Sequence, residues 1–110
     1  RKLTQDHSYV QKLVKDGQIT QEQAEHHPKK NMLMKALGCN AFVEPDVMVK
    51  GFLKDDIIVM CSDGLTNLVN QEEIYDFARV NIEQATKDLV NMANERGGYD
   101  NITVVIIKNI

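Results

Sequence analysis

The chain has 110 residues, 43% hydrophobic and 26% charged, with a net charge of −3. This is the balance of one soluble globular domain, or a piece of one, able to bury roughly two-thirds of its unfolded surface. With no basic block beyond Lys29-Lys30, nucleic acid and an anionic membrane are not expected as partners.

No apolar run approaches the roughly 18 residues of a membrane span, and the N-terminus lacks a signal-peptide core. Cys39 and Cys61 have no CxxC spacing and no company for a zinc site. Two reduced thiols in a cytoplasmic protein are therefore expected, with Cys61 packing in a strand. The first residue is Arg1, so the chain is expected to be part of something longer.

Asp6-His7-Ser8 offers local caps for a helix from about Ser8 to Asp16, with Tyr9, Val10, Leu13 and Val14 on one face. Gly17 suits a left-handed stop. Thr20 and Gln23 have capping-box spacing, and Gln21 to His26 makes a short, very polar helix that ends before Pro28. So polar a helix cannot lie in a core, and the pair reads as an exposed helical hairpin. Lys29 to Gly38 ties it back, and Cys39 to Glu44 is loop.

A candidate strand spans Asp46 to Leu53, with Val47 and Val49 on one face and the alternation broken at Gly51. Lys54-Asp55 turns it into a hairpin with Ile57–Cys61. The latter is an uncharged run read as a strand buried on both faces. Leu65 to Val69 makes one helical turn. Asn70 and Glu73 then open a capping-box helix to about Val80, with Ile74, Phe77 and Ala78 inward. Asn81 breaks it, and Ile82, Ala85, Leu89, Val90 and Ala93 define an amphipathic helix to about Glu95. Gly97-Gly98 stops the chain before Ile102–Ile107, a second doubly buried strand.

Asp63 closes the first of these strands and Asp100 precedes the second. Asp63 can cap the turn that follows, or it can reach a ligand at the sheet edge, with Gly64 letting the backbone turn sharply. If the two strands are antiparallel, both carboxylates fall at one edge and repel each other. A hard cation such as Mg²⁺ or Mn²⁺ would resolve this, and the alternative is two unrelated turn aspartates. His26-His27 reads as a solvated helix end, Lys29 and Lys30 as a solvated face or an attraction for phosphorylated groups. Ser62 has no base in view.

Seven stretches then occur in the order seen in metal-dependent type 2C serine/threonine protein phosphatases, especially bacterial ones. They are Thr4-Gln5-Asp6-His7-Ser8, Gly17-Gln18-Ile19-Thr20, His27-Pro28-Lys29-Lys30-Asn31, Ala36-Leu37-Gly38, Glu44-Pro45-Asp46, Ser62-Asp63-Gly64-Leu65 and Gly97-Gly98-Tyr99-Asp100-Asn101-Ile102-Thr103-Val104. The chain resembles the C-terminal half of such an enzyme over essentially its whole length.

The resemblance implies an α+β fold, the C-terminal part of an αββα sandwich of two mostly antiparallel sheets flanked by helices. Residues 1–110 would be one portion of a single phosphatase domain, with 8–37 as the flap segment and Lys29 and Lys30 as substrate-flap candidates. Asp63 and Asp100 would bind metal, and Gly64 and Asn101 would shape the site. The intact enzyme would hold two or more Mn²⁺ or Mg²⁺ ions and hydrolyse phosphoserine and phosphothreonine in proteins by attack of a metal-bound water.

The family's Asp-Gly-x-Gly-Gly and Gly-Asp-Ser motifs do not occur here, since Asp63-Gly64 is followed by Leu65. No catalytic residue is therefore assigned within this chain, which alone is expected to be inactive. Its open strands should seek the missing N-terminal half or a second copy. The competing reading is a truncated, non-catalytic relative that binds partners through the flap.

Overall fold

A computed structural model describes residues 1–110, which separate into two compact units, Arg1–Met48 and Val49–Ile110. In the first, α1 (Tyr9–Lys15) starts from extended Ser8, whose hydroxyl accepts from the Gln11 N–H at 3.3 Å. Gly17, at φ 73°, follows the C-cap Asp16 and ends the helix as its sequence requires. In α2 (Gln21–Glu25) both halves of the capping box form: Gln23 N–H donates to Thr20 Oγ1 at 3.1 Å and Thr20 N–H to Gln23 Oε1 at 2.9 Å.

The expected helical hairpin is therefore present, with Val10 and Ala24 buried. Its two ends meet as an antiparallel bridge between Ser8 and Leu33. Tyr9 N–H donates to the Met32 carbonyl and Met34 N–H to the His7 carbonyl, at 2.9 and 2.8 Å. Ser8, not Asp6 or His7, is the cap. Asp6 instead pairs with Lys2 at 2.8 Å.

In the second unit, β1 (Ile57–Cys61) pairs antiparallel with β2 (Val104–Lys108), in a register that sets Cys61 opposite Val104 and Ile57 opposite Lys108. Between the strands run α3 (Asp63–Thr66), α4 (Gln71–Val80) and α5 (Ile82–Glu95). Asn70 and Glu73 complete the capping box of α4, and Asn81 ends α4 while capping α5 through Gln84 N–H. The end of α5 is a Schellman turn. Gly97 N–H donates to the Asn94 carbonyl and Gly98 N–H to the Ala93 carbonyl, with both glycines at positive φ.

Leu65, Val69, Leu89 and Ala93 form the buried centre, each at 0 or 1% exposure. The i, i+4 spacing of Leu89 and Ala93 puts both on one face of α5, and Val69, just past α3, is tied to Leu65 by its N–H bond to that carbonyl at 2.9 Å. Val104 and Ile106 pack against this centre, as does Ile102. The alternate residues Val105 and Ile107 do not, and are 44% and 43% exposed, with Met60 of β1 at 49%.

Three expectations need correction. The strands are not buried on both faces, because the helices of this unit cover only one, and Cys61, at the end of β1 opposite core-facing Val104, is exposed and not packed in the strand. The second strand begins at Val104, not Ile102, because Thr103 N–H is taken by the Ser62 hydroxyl at 3.0 Å and the ladder stops there.

Residues 46–53 are not a strand. Val47 and Val49 remain exposed, no layer buries the face on which they alternate, and no backbone edge pairs with them. The Lys54-Asp55 turn does form, with Asp55 at φ 68°, its N–H donating to the Asn109 carbonyl at 2.8 Å. It leads into β1 without a preceding strand.

Candidate metal centre

β1 gives out at Cys61 because Ser62 leaves the ladder to tie two chain segments together. Its N–H donates to the Thr103 carbonyl at 3.0 Å, its hydroxyl donates to the Asn101 carbonyl at 3.2 Å, and the same oxygen accepts from Thr103 N–H. The Ser62 side chain therefore makes no cap bond to α3, although it occupies the N-cap position. Sequence reasoning looked for a base beside Ser62 and missed this stitching role. A serine at a strand end opposite Asn-Ile-Thr was the available signal.

Asp63 is the first residue of α3 and Gly64 the second. Gly64 is buried, and a Cβ built on it would collide with the Asn101 carbonyl oxygen, with the Asn101 carbonyl carbon 3.0 Å away and Ile102 Cγ1 at 3.4 Å. The glycine serves close approach of two backbones. A positive φ is not needed, since among the glycines only Gly17, Gly38, Gly97 and Gly98 have one. The residue after Asp63 thus presses on the residue after Asp100.

Antiparallel pairing and this contact carry both aspartates to the same end of the sheet. Both are exposed, and none of the chain's ion pairs includes either of them. Asp100 Oδ1 accepts from Asn101 N–H at 2.7 Å, which fixes that carboxylate against its own loop. Two carboxylates with oxygen to spare are the donor chemistry of a hard divalent cation. They fit part of a site only, because no group of three or more His, Cys, Asp or Glu gathers in the chain.

The other candidates sit apart from this pair in the sequence and in structural role. Lys29 and Lys30 are exposed residues of the first unit, and Lys29 Nζ lies over the Tyr9 ring, 5.5 Å from its centroid. His27 meets the same ring edge-on at 6.2 Å, and its Nδ1 accepts from Lys29 N–H at 3.0 Å. His26 is the C-cap residue of α2. Neither histidine is part of a metal group.

Two ionic arrangements escaped the sequence. Arg96, just after α5, donates through Nη1 and Nη2 to the two carboxylate oxygens of Glu73 at 2.8 and 2.6 Å, and through Nη1 to the Leu68 carbonyl at 2.8 Å. The Arg96 guanidinium, together with Asn70 N–H, lowers the Glu73 carboxyl to about 2. The second is a cluster of His7, Lys35 and Asp46 in the first unit. Only the local capping box was readable in the first case, and no local pattern signals the second.

Comparison with known proteins places these features in context. The model of the family described as Protein phosphatase 2C matches residues 26–102. A serine/threonine phosphatase stp of Listeria welshimeri is 41% identical over 110 residues, covering 98% of this chain and 44% of the relative. Among solved structures, the serine/threonine phosphatase of S. agalactiae superposes with a TM-score of 0.91 at 41% identity, over 98% of this chain and 46% of the other. The catalytic domain of serine threonine protein phosphatase PstP, solved in complex with two manganese ions, gives 0.80 at 33% identity, over 94% of this chain and 43% of the other. The chain thus spans less than half the length of the relatives it matches.

Proposed function

This chain belongs to the protein phosphatase 2C family, and from that premise we propose that it is the C-terminal portion of a metal-dependent serine/threonine protein phosphatase. The observation that carries the reading is the convergence of Asp63 and Asp100, forced by the β1–β2 register and by the Gly64–Asn101 backbone contact. In the intact enzyme these two carboxylates hold Mn²⁺ or Mg²⁺, with further ligands supplied from outside the chain. Bound divalent ions supply Lewis-acid polarisation of a phosphoryl oxygen and activation of water.

The chain's own residues have positioning work to do. Ser62 locks the strand end that carries Asp63 to the backbone of residues 101 and 103. Asn101 N–H orients Asp100. Gly64 keeps the backbones of the two loops close, which would let both carboxylates serve one site. The substrates are phosphoserine and phosphothreonine in proteins, and residues 8–37 form a flap bearing Lys29 and Lys30 that contacts them.

The second layer of an αββα sandwich covers the face of the sheet that bears Met60, Val105 and Ile107, which this unit leaves exposed. No helix of the chain is long and apolar enough to cross a membrane. The proposed setting is the cytoplasm.

The test is phosphate release from a phosphothreonine peptide by the complete polypeptide that contains this chain, with Mn²⁺ and with a chelator. Release that needs the metal and disappears in Asp63→Asn supports the reading. Release that survives Asp63→Asn and Asp100→Asn together overturns the assignment of both residues. The chain by itself, with two carboxylates and no complete ligand set, should release none. Phosphate release by this chain alone would refute the division of labour.

A further inference from the structure

The helical hairpin is an excursion whose two ends must be held together, and the bridge between Ser8 and Leu33 is short. Two backbone hydrogen bonds flank it, from Tyr9 N–H to Met32 and from Met34 N–H to His7. An isolated bridge of this kind is weak, because pairs of short strands need further packing to persist. The side chains just outside it supply a second closure. His7 Nε2 lies 2.7 Å from Asp46 Oδ2, and Lys35 Nζ lies 3.8 Å from Asp46 Oδ1. Lys35 Nζ also donates to the Glu44 carbonyl at 3.1 Å.

One carboxylate therefore touches the residue that enters the hairpin and a residue that leaves it. A carboxylate only accepts, so Nε2 of His7 carries the proton in this bond. We propose that Asp46 is a latch that closes the base of the helical hairpin by holding His7 and Lys35 together.

The charges around the latch agree with this. The His7 hydrogen bond holds the Asp46 carboxyl below its ordinary 3.8, aided by the positive charges of His7, Lys35 and Lys15 and opposed by partial burial. The neighbouring acid Asp6 is occupied with Lys2 at 2.8 Å and does not compete. Glu44 lines the same open groove as His7, Lys35 and Asp46, but it meets Lys35 through its backbone carbonyl. The latch is thus a single carboxylate gripped by a histidine N–H and a lysine ammonium on opposite sides of the hairpin base. Protonating Asp46 removes the anion and frees both sides at once.

Amide hydrogen exchange of Tyr9 and Met34, followed by NMR in the full chain, tests the proposal. Exposed ion pairs are individually weak, so Asp46→Asn should speed exchange at these two amides about two- to five-fold at neutral pH. The amide of Asp16, the C-cap of α1, bonded to the Lys12 carbonyl, should not respond. Because the Asp46 pKa is depressed in the folded state, wild-type protection is full above about 3.8 and falls as pH drops through the lower folded value. Asp46→Asn should show no such step.

His7→Gln and Lys35→Gln should each open the base partly. His7→Gln combined with Asp46→Asn should be no worse than Asp46→Asn alone, because both remove one contact. Equal protection of Tyr9 and Met34 in wild type and Asp46→Asn overturns the latch. Additive effects of the His7 and Asp46 changes overturn it as well.

Discussion

Replacing Gly64 by alanine tests the contact on which the proposed metal site depends. The added Cβ meets the Asn101 carbonyl oxygen and, at 3.0 Å, its carbon. Both are backbone atoms flanked by the Ser62 stitches to residues 101 and 103, so no side chain can swing aside. Overpacking against such a wall costs about 1–3 kcal/mol, and the backbone collision points to the upper part of that range. Gly64 lies in α3, so alanine also recovers up to about 1 kcal/mol of helix propensity. The expected net loss is about 1–2 kcal/mol in urea unfolding, with unchanged m.

Gly51→Ala serves as the control, since a Cβ there meets nothing within 4 Å, and it should change stability by no more than about 0.5 kcal/mol. The same collision pushes the Asp63 turn away from the Asp100 loop. In the complete enzyme, Gly64→Ala should raise the Mn²⁺ concentration needed for half-maximal phosphatase activity. A Gly64→Ala protein as stable as wild type, or more so, would show that the two backbones have room to separate. The convergence of the two aspartates would then lose its mechanical basis.

Other changes probe separate links. Asp63→Asn in the complete enzyme should abolish metal-dependent phosphate release while leaving the metal-free melting temperature no lower, because the change relieves carboxylate repulsion; a large metal-free loss would indicate a capping role. Glu73, held at about 2 against an ordinary 4.5, stabilises the fold fully above 4.5, and that contribution is lost as pH falls from 4.5 towards 2. Glu73→Gln should therefore flatten the acid limb of a stability-versus-pH curve measured by urea unfolding. Val105→Lys and Ile107→Lys alter exposed positions of β2, so they should reduce self-association in sedimentation without unfolding the chain.

What the sequence made legible was local. Thr20 with Gln23 and Asn70 with Glu73 satisfy their helix ends within four residues, so their spacing alone located α2 and α4. The turn at Gly97-Gly98 was equally local, since the last carbonyls of α5 need left-handed residues there. The aspartate pair came from a conditional argument about strand direction, which the Cys61–Val104 register satisfies. The long-range bonds were invisible. Arg96 and Glu73 are neighbours only because α4 and α5 pack side by side, and His7 meets Asp46 only because the chain returns after residue 34. The strand expected at 46–53 failed for a related reason: alternation marks residues fit for a sheet face, but a strand also needs to bond an edge, and residues 46–53 pair with neither edge of the two-stranded sheet.

The exposed side of the sheet turns that last point into a physical constraint on any functional reading. Ile58 opposes Ile107, and Met60 opposes Val105, so one face carries four apolar residues in two cross-strand pairs. The opposite face, with Val104 and Ile106, already packs against the core built around Leu89 and Ala93. Each strand also has one edge with no partner, since the sheet contains two strands. Two-stranded sheets are marginal in water, and open apolar edges recruit other strands. A protein phosphatase assembled around Asp63 and Asp100, as proposed above, would answer both demands together. The chain segments that would complete the ligand set at the sheet's end would also lay a second sheet over Met60, Val105 and Ile107. Covering the face and completing the site would then be one folding event. Addition of a separately made upstream half should therefore restore metal-dependent phosphate release and protect the Val105 and Ile107 amides from exchange in parallel; recovery of either without the other would separate the two roles.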